Sequence, residues 1–160
     1  MCYYSKKFDF KPAEEDIRVY KKLAVRKAPN GVWMLYSPYQ NLCYGELFDK
    51  NRRKVIADGE MPTEEHTRVC RDGWYVIAGG VLHSYHPAYA AYKDGYTLFP
   101  AVIPKGTLYM TDKKEMVSRV LKITGVPRLK HLLHDPKTLS FKDKIDLIWN
   151  YFIYKLKGGK

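Results

Sequence analysis

A strict alternation of side chains between Ile17 and Arg26 constrains the fold more than any other feature of the chain. Apolar residues occupy the odd positions, apart from Lys21, and mainly polar or charged residues occupy the even positions. A period of two is typical of a β-strand with one mostly apolar side. Residues 29–31 (Pro-Asn-Gly) form a turn signal, and the β-branched and aromatic run at 32–36 suits a returning strand. The pattern therefore predicts a long first strand and a hairpin.

Shorter patterns predict further strands and a short helix. Strands are predicted at residues 74–77, 97–103, 108–110 and 117–123. Pro87, in a first helical turn, and the Ala-Tyr run after it predict a helix over residues 87–93, which Asp94-Gly95 ends. Together these elements predict an α+β fold. We expect a single domain over residues 1–160, with a twisted, mainly antiparallel sheet within residues 17–123.

The clearest helix is predicted over residues 138–157. Ser140 suits the N-cap, and Asp143 lies in the first turn, where the helix dipole favours a carboxylate. An apolar stripe recurs at helical spacing through Phe141, Ile145, Ile148, Trp149, Phe152, Ile153 and Leu156. We expect this stripe to pack on the sheet. The alternative is contact with a partner helix or a second copy of the chain, which would make a homodimer.

The composition excludes several classes of protein. No apolar run approaches the roughly 20 residues that cross a bilayer, so no membrane partner is predicted. The N-terminus lacks the apolar stretch of a secretory signal, and three cysteines without close pairing argue against a disulfide framework. The predicted location is the cytoplasm, which is the host cytoplasm if a phage encodes the chain.

The net charge of +11 is concentrated at the two ends of the sequence. Residues 1–27 carry eight Lys/Arg against four Asp/Glu, residues 28–112 carry eight against nine, and residues 113–160 carry twelve against four. If the ends fold together, they form one basic face that attracts polyanions such as nucleotides or nucleic acid. A soluble protein with lysine-rich helices and no such partner is the alternative.

No high-specificity catalytic, cofactor or metal motif is present. The pairs His83/His86 and His131/His134 each supply two imidazoles, whereas zinc normally takes three or four protein ligands. A glycine-rich phosphate loop and a nucleophile elbow are both absent. We therefore predict neither a metal nor a cofactor.

A pocket for an anion is predicted around a turn and a helix start. Lys105 and Gly106 would supply an ammonium and backbone amides, and His83 and Ser84 precede the short helix. The predicted ligand surface also takes in a loop tyrosine, whose ring can stack on a base, and basic side chains of the first strand. These further residues are Tyr39, Arg18 and Arg26.

Several short motifs resemble those of small uncharacterised proteins encoded by phages and gut bacteria. They are Ser37-Pro38-Tyr39, Gly80 with His83-Ser84, the Ile-Pro-Lys-Gly-Thr turn at 103–107, and Glu115-Met116-Val117-Ser118. The resemblance covers roughly residues 17–123 and leaves the last helix outside. Here two residues separate Gly80 from His83, where the pattern has one. The resemblance implies a phage-type accessory protein and names no reaction.

The same segment is similar, more distantly, to ADP-ribosyltransferases, which use NAD. That resemblance implies that Arg18 or Arg26 holds the dinucleotide phosphates and that Glu115 stabilises the transition state, with His83-Ser84 near the family's Ser-Thr-Ser strand. The chain departs from that family in having no Ser-Thr-Ser. It also lacks the Glu-x-Glu pair of that family, since Glu115 is followed by Met116-Val117-Ser118.

Three functions follow from these patterns. The first is a non-enzymatic protein that binds a nucleotide or nucleic acid, acting against a host system. The second is the NAD-dependent transferase. The third is an antagonist that contacts a host protein through an aromatic face, since the chain has 14 tyrosines.

Overall fold

A computed structural model describes residues 2–4, 10–37, 43–48, 68–71, 74–78, 81–90, 96–112, 114–133 and 139–159. It confirms the α+β class, with a mostly antiparallel sheet and a C-terminal helix. The chain divides into two compact units. Unit 1 comprises Met1–Lys21, Glu60–Ala90 and Ala101–Lys122, and unit 2 comprises Lys22–Gly59, Ala91–Pro100 and Ile123–Lys160.

The described strands and helices follow one another in this order: β1 (Cys2–Tyr4), β2 (Lys11–Pro12), β3 (Ile17–Lys27), β4 (Trp33–Tyr36), β5 (Cys43–Glu46), β6 (Arg68–Arg71), β7 (Trp74–Ala78), β8 (Leu82–Tyr85), a 3₁₀ helix (Pro87–Tyr89), β9 (Thr97–Ile103), β10 (Leu108–Thr111), β11 (Glu115–Ser118), β12 (Lys122–Ile123), α1 (Leu129–Leu132) and α2 (Phe141–Leu156). The predicted strands at 17–26, 74–77, 97–103 and 108–110 are confirmed. So is the returning strand, as β4.

Unit 1 is built around β8 and β11, which pair antiparallel. β10 pairs antiparallel with β11 and with β2 on its other side, and Tyr20 of β3 lies opposite Tyr85 of β8. Val81, Met110 and Val117 form a buried apolar cluster against which Phe10 packs. The same unit contains a second sheet, in which β6 pairs parallel with β1 and antiparallel with β7.

Unit 2 contains the predicted hairpin. β4 pairs antiparallel with the end of β3 and with β5. In the turn, the Gly31 amide donates to the Ala28 carbonyl at 2.9 Å, and Gly31 has φ of +84°, a conformation that favours glycine. Leu23, Val25 and Leu35 are fully buried. The odd positions of this hairpin therefore face the core as predicted, and Ala24, an even position between them, is fully buried as well.

Two predicted elements are shorter or broken in the structure. The helix predicted at 87–93 is a 3₁₀ turn over Pro87–Tyr89, because Ala90 turns to extended backbone with ψ of 124°; residues 91–93 lie outside the described part. The strand predicted at 117–123 is interrupted between β11 and β12. There the Ser118 hydroxyl donates to the Val120 carbonyl at 2.9 Å, a local side-chain bond to the backbone.

Ser140 is the N-cap of helix α2, as predicted: its hydroxyl accepts a hydrogen bond from the Asp143 amide at 3.2 Å. It runs from residue 141 to 156, within the predicted 138–157. Its buried residues are Leu147 and Tyr154.

The expectation that the apolar stripe of α2 packs on the sheet is wrong. Five of its members are exposed, and we call these five the apolar ridge: Phe141 (81% exposed), Ile145 (52%), Trp149 (64%), Phe152 (54%) and Leu156 (85%). At 3.6 residues per turn they span an arc of about 80°, opposite the side that buries Leu147 and Tyr154. The helix therefore turns its most apolar side outward.

Polar contacts are made on the inner side of the helix. Lys27 Nζ lies 3.5 Å from Asp143 Oδ1 and 3.2 Å from Asp146 Oδ2, and the Trp33 indole N–H donates to Asp146 Oδ2 at 2.9 Å. We call these four residues the polar anchor. A rotation that buried the ridge would remove both carboxylates from these partners.

We expect Leu147→Ala to lower the free energy of unfolding by about 2–5 kcal/mol, because it empties a buried site. The matched ridge substitution Ile145→Ala should change it by less than about 0.5 kcal/mol, because the side chain is half exposed and packs little. Urea denaturation of the two variants measures this. Equal losses would show that the ridge is packed.

The polar anchor also predicts a pH dependence. The hydrogen bond to Asp146, with the charges of Asp146 and Asp143, raises the pKa of Lys27 above its ordinary 10.5. Because the folded-state pKa is the higher one, the stabilisation is complete below 10.5 and is lost as pH rises through the folded value. Lys27→Met should thus cost about 0.2–1 kcal/mol at neutral pH, since the pair is partly exposed. A cost that grows at alkaline pH would contradict this origin.

Candidate functional site

At the Lys105–Gly106 turn, where an anion pocket is predicted, the backbone amides bond to other groups of the protein. The Lys105 amide donates to Asp16 Oδ1 at 2.8 Å, and the Gly106 amide donates to the Ala13 carbonyl at 2.8 Å. Gly106 has φ of +84°, which only glycine adopts without strain. Both amides are therefore already bonded, one of them to a carboxylate, and only the exposed Lys105 side chain faces solvent.

His83 and Ser84 lie inside unit 1. Both are fully buried, and the Ser84 hydroxyl donates to the Met116 carbonyl at 3.5 Å. His83 Nε2 lies 3.6 Å from Glu115 Oε2, across the β8–β11 pair. His83 and Glu115 are 32 positions apart in the sequence, and strand pairing brings them together. The two residues predicted as ligand contacts thus belong to the packed interior.

A buried cation completes this interior cluster. Lys21 is almost fully buried, and its ammonium donates to the His83 carbonyl at 2.9 Å. The His83 ring packs edge-on against Tyr85, with centroids 4.8 Å apart. Sequence alternation placed Lys21 on the apolar side of β3 but did not reveal its partner. The cluster is a polar network within a sheet, and burial separates its imidazole and ammonium from solutes.

The remaining predicted residues lie apart from that cluster. Arg18 is exposed on the unit 1 portion of β3, and Arg26 is half-buried on the unit 2 portion. Tyr39 lies outside the described residues, as does His134. Among the described residues, no group of three or more His, Cys, Asp or Glu could hold a metal.

One cavity in unit 1 has a volume of about 220 Å³. It is lined by Lys11, Pro12, Glu14, Glu15, Ile17 and Tyr109. Two carboxylates oppose one ammonium there, so its charge does not suit an anion.

The two units differ in charge. Unit 2 carries 16 Lys/Arg against 7 Asp/Glu, a net of +9, whereas unit 1 carries 12 against 10, a net of +2. The basic N-terminal segment is divided between them, because Lys22, Arg26 and Lys27 belong to unit 2. Most of the excess positive charge of the chain is therefore on unit 2.

Two of these cations are held on aromatic rings. Lys22 Nζ lies 4.7 Å from the centroid of Tyr96, and the Arg26 guanidinium carbon lies 5.5 Å from the centroid of Tyr36. Lys22, Ala24 and Arg26 share one side of β3, and Ala24 pairs with Tyr36, so Tyr36 shares that side. We call Lys22, Arg26, Tyr36 and Tyr96 the basic–aromatic face. The sequence indicated its cations by their even positions but not their ring partners.

The chain has no match among protein-family models, curated proteins or solved structures. Within the described residues, no helix has the length and apolar character needed to cross a membrane.

We expect Gly106→Ala to lower the free energy of unfolding by about 1–2 kcal/mol, because alanine in a left-handed conformation is strained. Lys105→Ala should leave stability unchanged, since the side chain is exposed. Urea denaturation with and without inorganic phosphate measures both effects. If phosphate raises the free energy of unfolding and Lys105→Ala abolishes that increase, the result would support an anion pocket at this turn.

Proposed function

We propose that unit 2 binds a nucleotide or a nucleic-acid strand through the basic–aromatic face. The observation that carries the proposal is the placement of Lys22 and Arg26 on the rings of Tyr96 and Tyr36, along one side of one strand, in the unit with net charge +9. Polyanions are the ligands that such a charge attracts.

The ring contacts favour phosphate binding over mere solubility. A lysine or arginine side chain that samples many rotamers in solvent loses conformational entropy when a ligand fixes it, at a cost of about 2 kcal/mol. Lys22 and Arg26 are half-buried and already rest on rings. This pre-organisation lowers the cost of binding.

The aromatic component suits a base as well as a phosphate. Tyr36 is half-buried, so part of its surface remains accessible beside Arg26. Rings next to cations are typical of surfaces that stack bases and follow a phosphate backbone. Tyr96 is buried and serves to position Lys22.

The alternatives receive less support from the structure. A transferase site would need His83 and Ser84 near NAD, and both are fully buried in unit 1. A pocket at Lys105 would need amides that Asp16 and Ala13 already occupy.

The test is fluorescence anisotropy of a labelled oligothymidylate over a range of salt concentrations. Affinity should fall steeply with salt, with about 0.7 in the log–log slope for each phosphate contacted. Lys22→Gln and Arg26→Gln should each weaken binding about tenfold and reduce that slope by roughly 0.7. Competition with a mononucleotide distinguishes a nucleotide site from a strand site.

Lys105→Gln is the matched control, because it removes the same charge from an exposed position in unit 1. It should leave the slope unchanged. If both sets of variants weaken binding equally, general charge and not the basic–aromatic face is responsible. Binding that salt does not weaken would reject a phosphate ligand.

A further inference from the structure

The apolar ridge of α2 is a large exposed surface with no role in the proposed function. Three of the five side chains are aromatic, a type that buries about 150–250 Å² each, and with the two aliphatic ones the partly exposed ridge presents on the order of 600 Å². The largest apolar patch on an ordinary monomer is about 300–600 Å² and is often functional. A ridge of this size marks a contact surface.

The charges beside the ridge are all positive. Lys142 is exposed on one flank of the ridge and Lys155 on the other. Lys144 is half-buried on the same flank as Lys155. The acidic residues of the helix, Asp143 and Asp146, contact Lys27 on the inner side. The partner of the ridge must therefore accept apolar side chains and positive charge together.

A second copy of the chain does not meet this requirement. Two ridges packed antiparallel would place Lys142 of one helix near Lys155 of the other, and each chain already carries +11. Like charges placed beside each other are destabilising.

An anionic lipid surface does meet it. Helices that lie in a membrane interface have Trp, Phe and Leu on one side and lysines beside them, and their apolar side chains enter the headgroup region. Acidic lipids attract the flanking lysines. The helix has 16 residues and a length of about 24 Å, and it would lie along the surface. Because no apolar run is long enough to span a bilayer, the sequence predicts no membrane partner. A helix that lies on the membrane surface does not need such a run.

We infer that the apolar ridge docks α2 on membranes that contain anionic lipid, with Phe141, Trp149 and Phe152 entering the interface and Lys142 and Lys155 contacting the headgroups. This inference is independent of the proposed binding of nucleotides by the basic–aromatic face.

The test is co-sedimentation of the full chain with two kinds of vesicle. One contains phosphatidylcholine alone, and the other contains phosphatidylcholine with phosphatidylglycerol. We expect binding to the mixed vesicles, weakened at least about tenfold by the double variant Trp149→Ser/Phe152→Ser. Lys142→Gln/Lys155→Gln should weaken binding to mixed vesicles and reduce its salt dependence. In the unaltered chain, tryptophan emission should shift to the blue on binding.

Leu108→Ser is the matched control, because Leu108 is an exposed apolar residue of unit 1 outside the ridge, and it should bind vesicles normally. Arg26→Gln should also bind normally, which separates this inference from the proposed function. Circular dichroism checks that each variant keeps its helix content.

Three outcomes would overturn the inference. The first is absence of binding to both vesicles. The second is equal binding to mixed vesicles by the ridge variant and the unaltered chain. The third is a stable dimer in sedimentation equilibrium that Trp149→Ser/Phe152→Ser dissociates, which would assign the ridge to contact between copies.

Discussion

The polar anchor between β3, β4 and α2 joins the last helix of the second unit to its hairpin. Lys27 bridges Asp143 and Asp146, and the Trp33 indole bonds Asp146, so the acidic side of the helix faces the hairpin. Hydrophobic burial alone would favour the opposite rotation, because the ridge holds more apolar surface than the inner side. The three contacts of the anchor are too weak to offset that burial, since a partly exposed pair contributes about 0.2–1 kcal/mol. The exposed ridge therefore fits a surface that is covered by a contact outside the chain.

The same hairpin organises both surfaces of unit 2. Odd positions of β3 pack inward and end at Lys27, which contacts α2, while even positions carry Lys22 and Arg26 onto aromatic rings. One strand thus positions the helix with one side and the basic–aromatic face with the other. The proposed nucleotide binding and the inferred lipid contact use different side chains of the unit that holds +9 of the chain's +11.

Local patterns predicted the elements, and contacts between distant residues decided their arrangement. The alternation of β3, the turn at Gly31 and the Ser140 cap depend on neighbours in sequence, so each was predictable. Periodicity locates the apolar side of α2 but cannot show that two aspartates on its other side meet Lys27, 116 positions away in one case. The positions of two residues of the predicted pocket were not predictable for a related reason. His83 and Ser84 are near a helix start in sequence, yet strand pairing with β11 buries them.

Acrylamide quenching of tryptophan fluorescence, compared between the unaltered chain and Trp149→Phe, tests the orientation of α2 most directly. The chain has three tryptophans, and the difference between the two proteins isolates Trp149 while leaving the Trp33–Asp146 bond intact. The outward ridge predicts that the emission lost in the variant is red-shifted and strongly quenched, because the Trp149 side chain is mostly exposed. If the lost emission is blue-shifted and protected from acrylamide, the helix packs with its apolar side inward and the polar anchor is not formed.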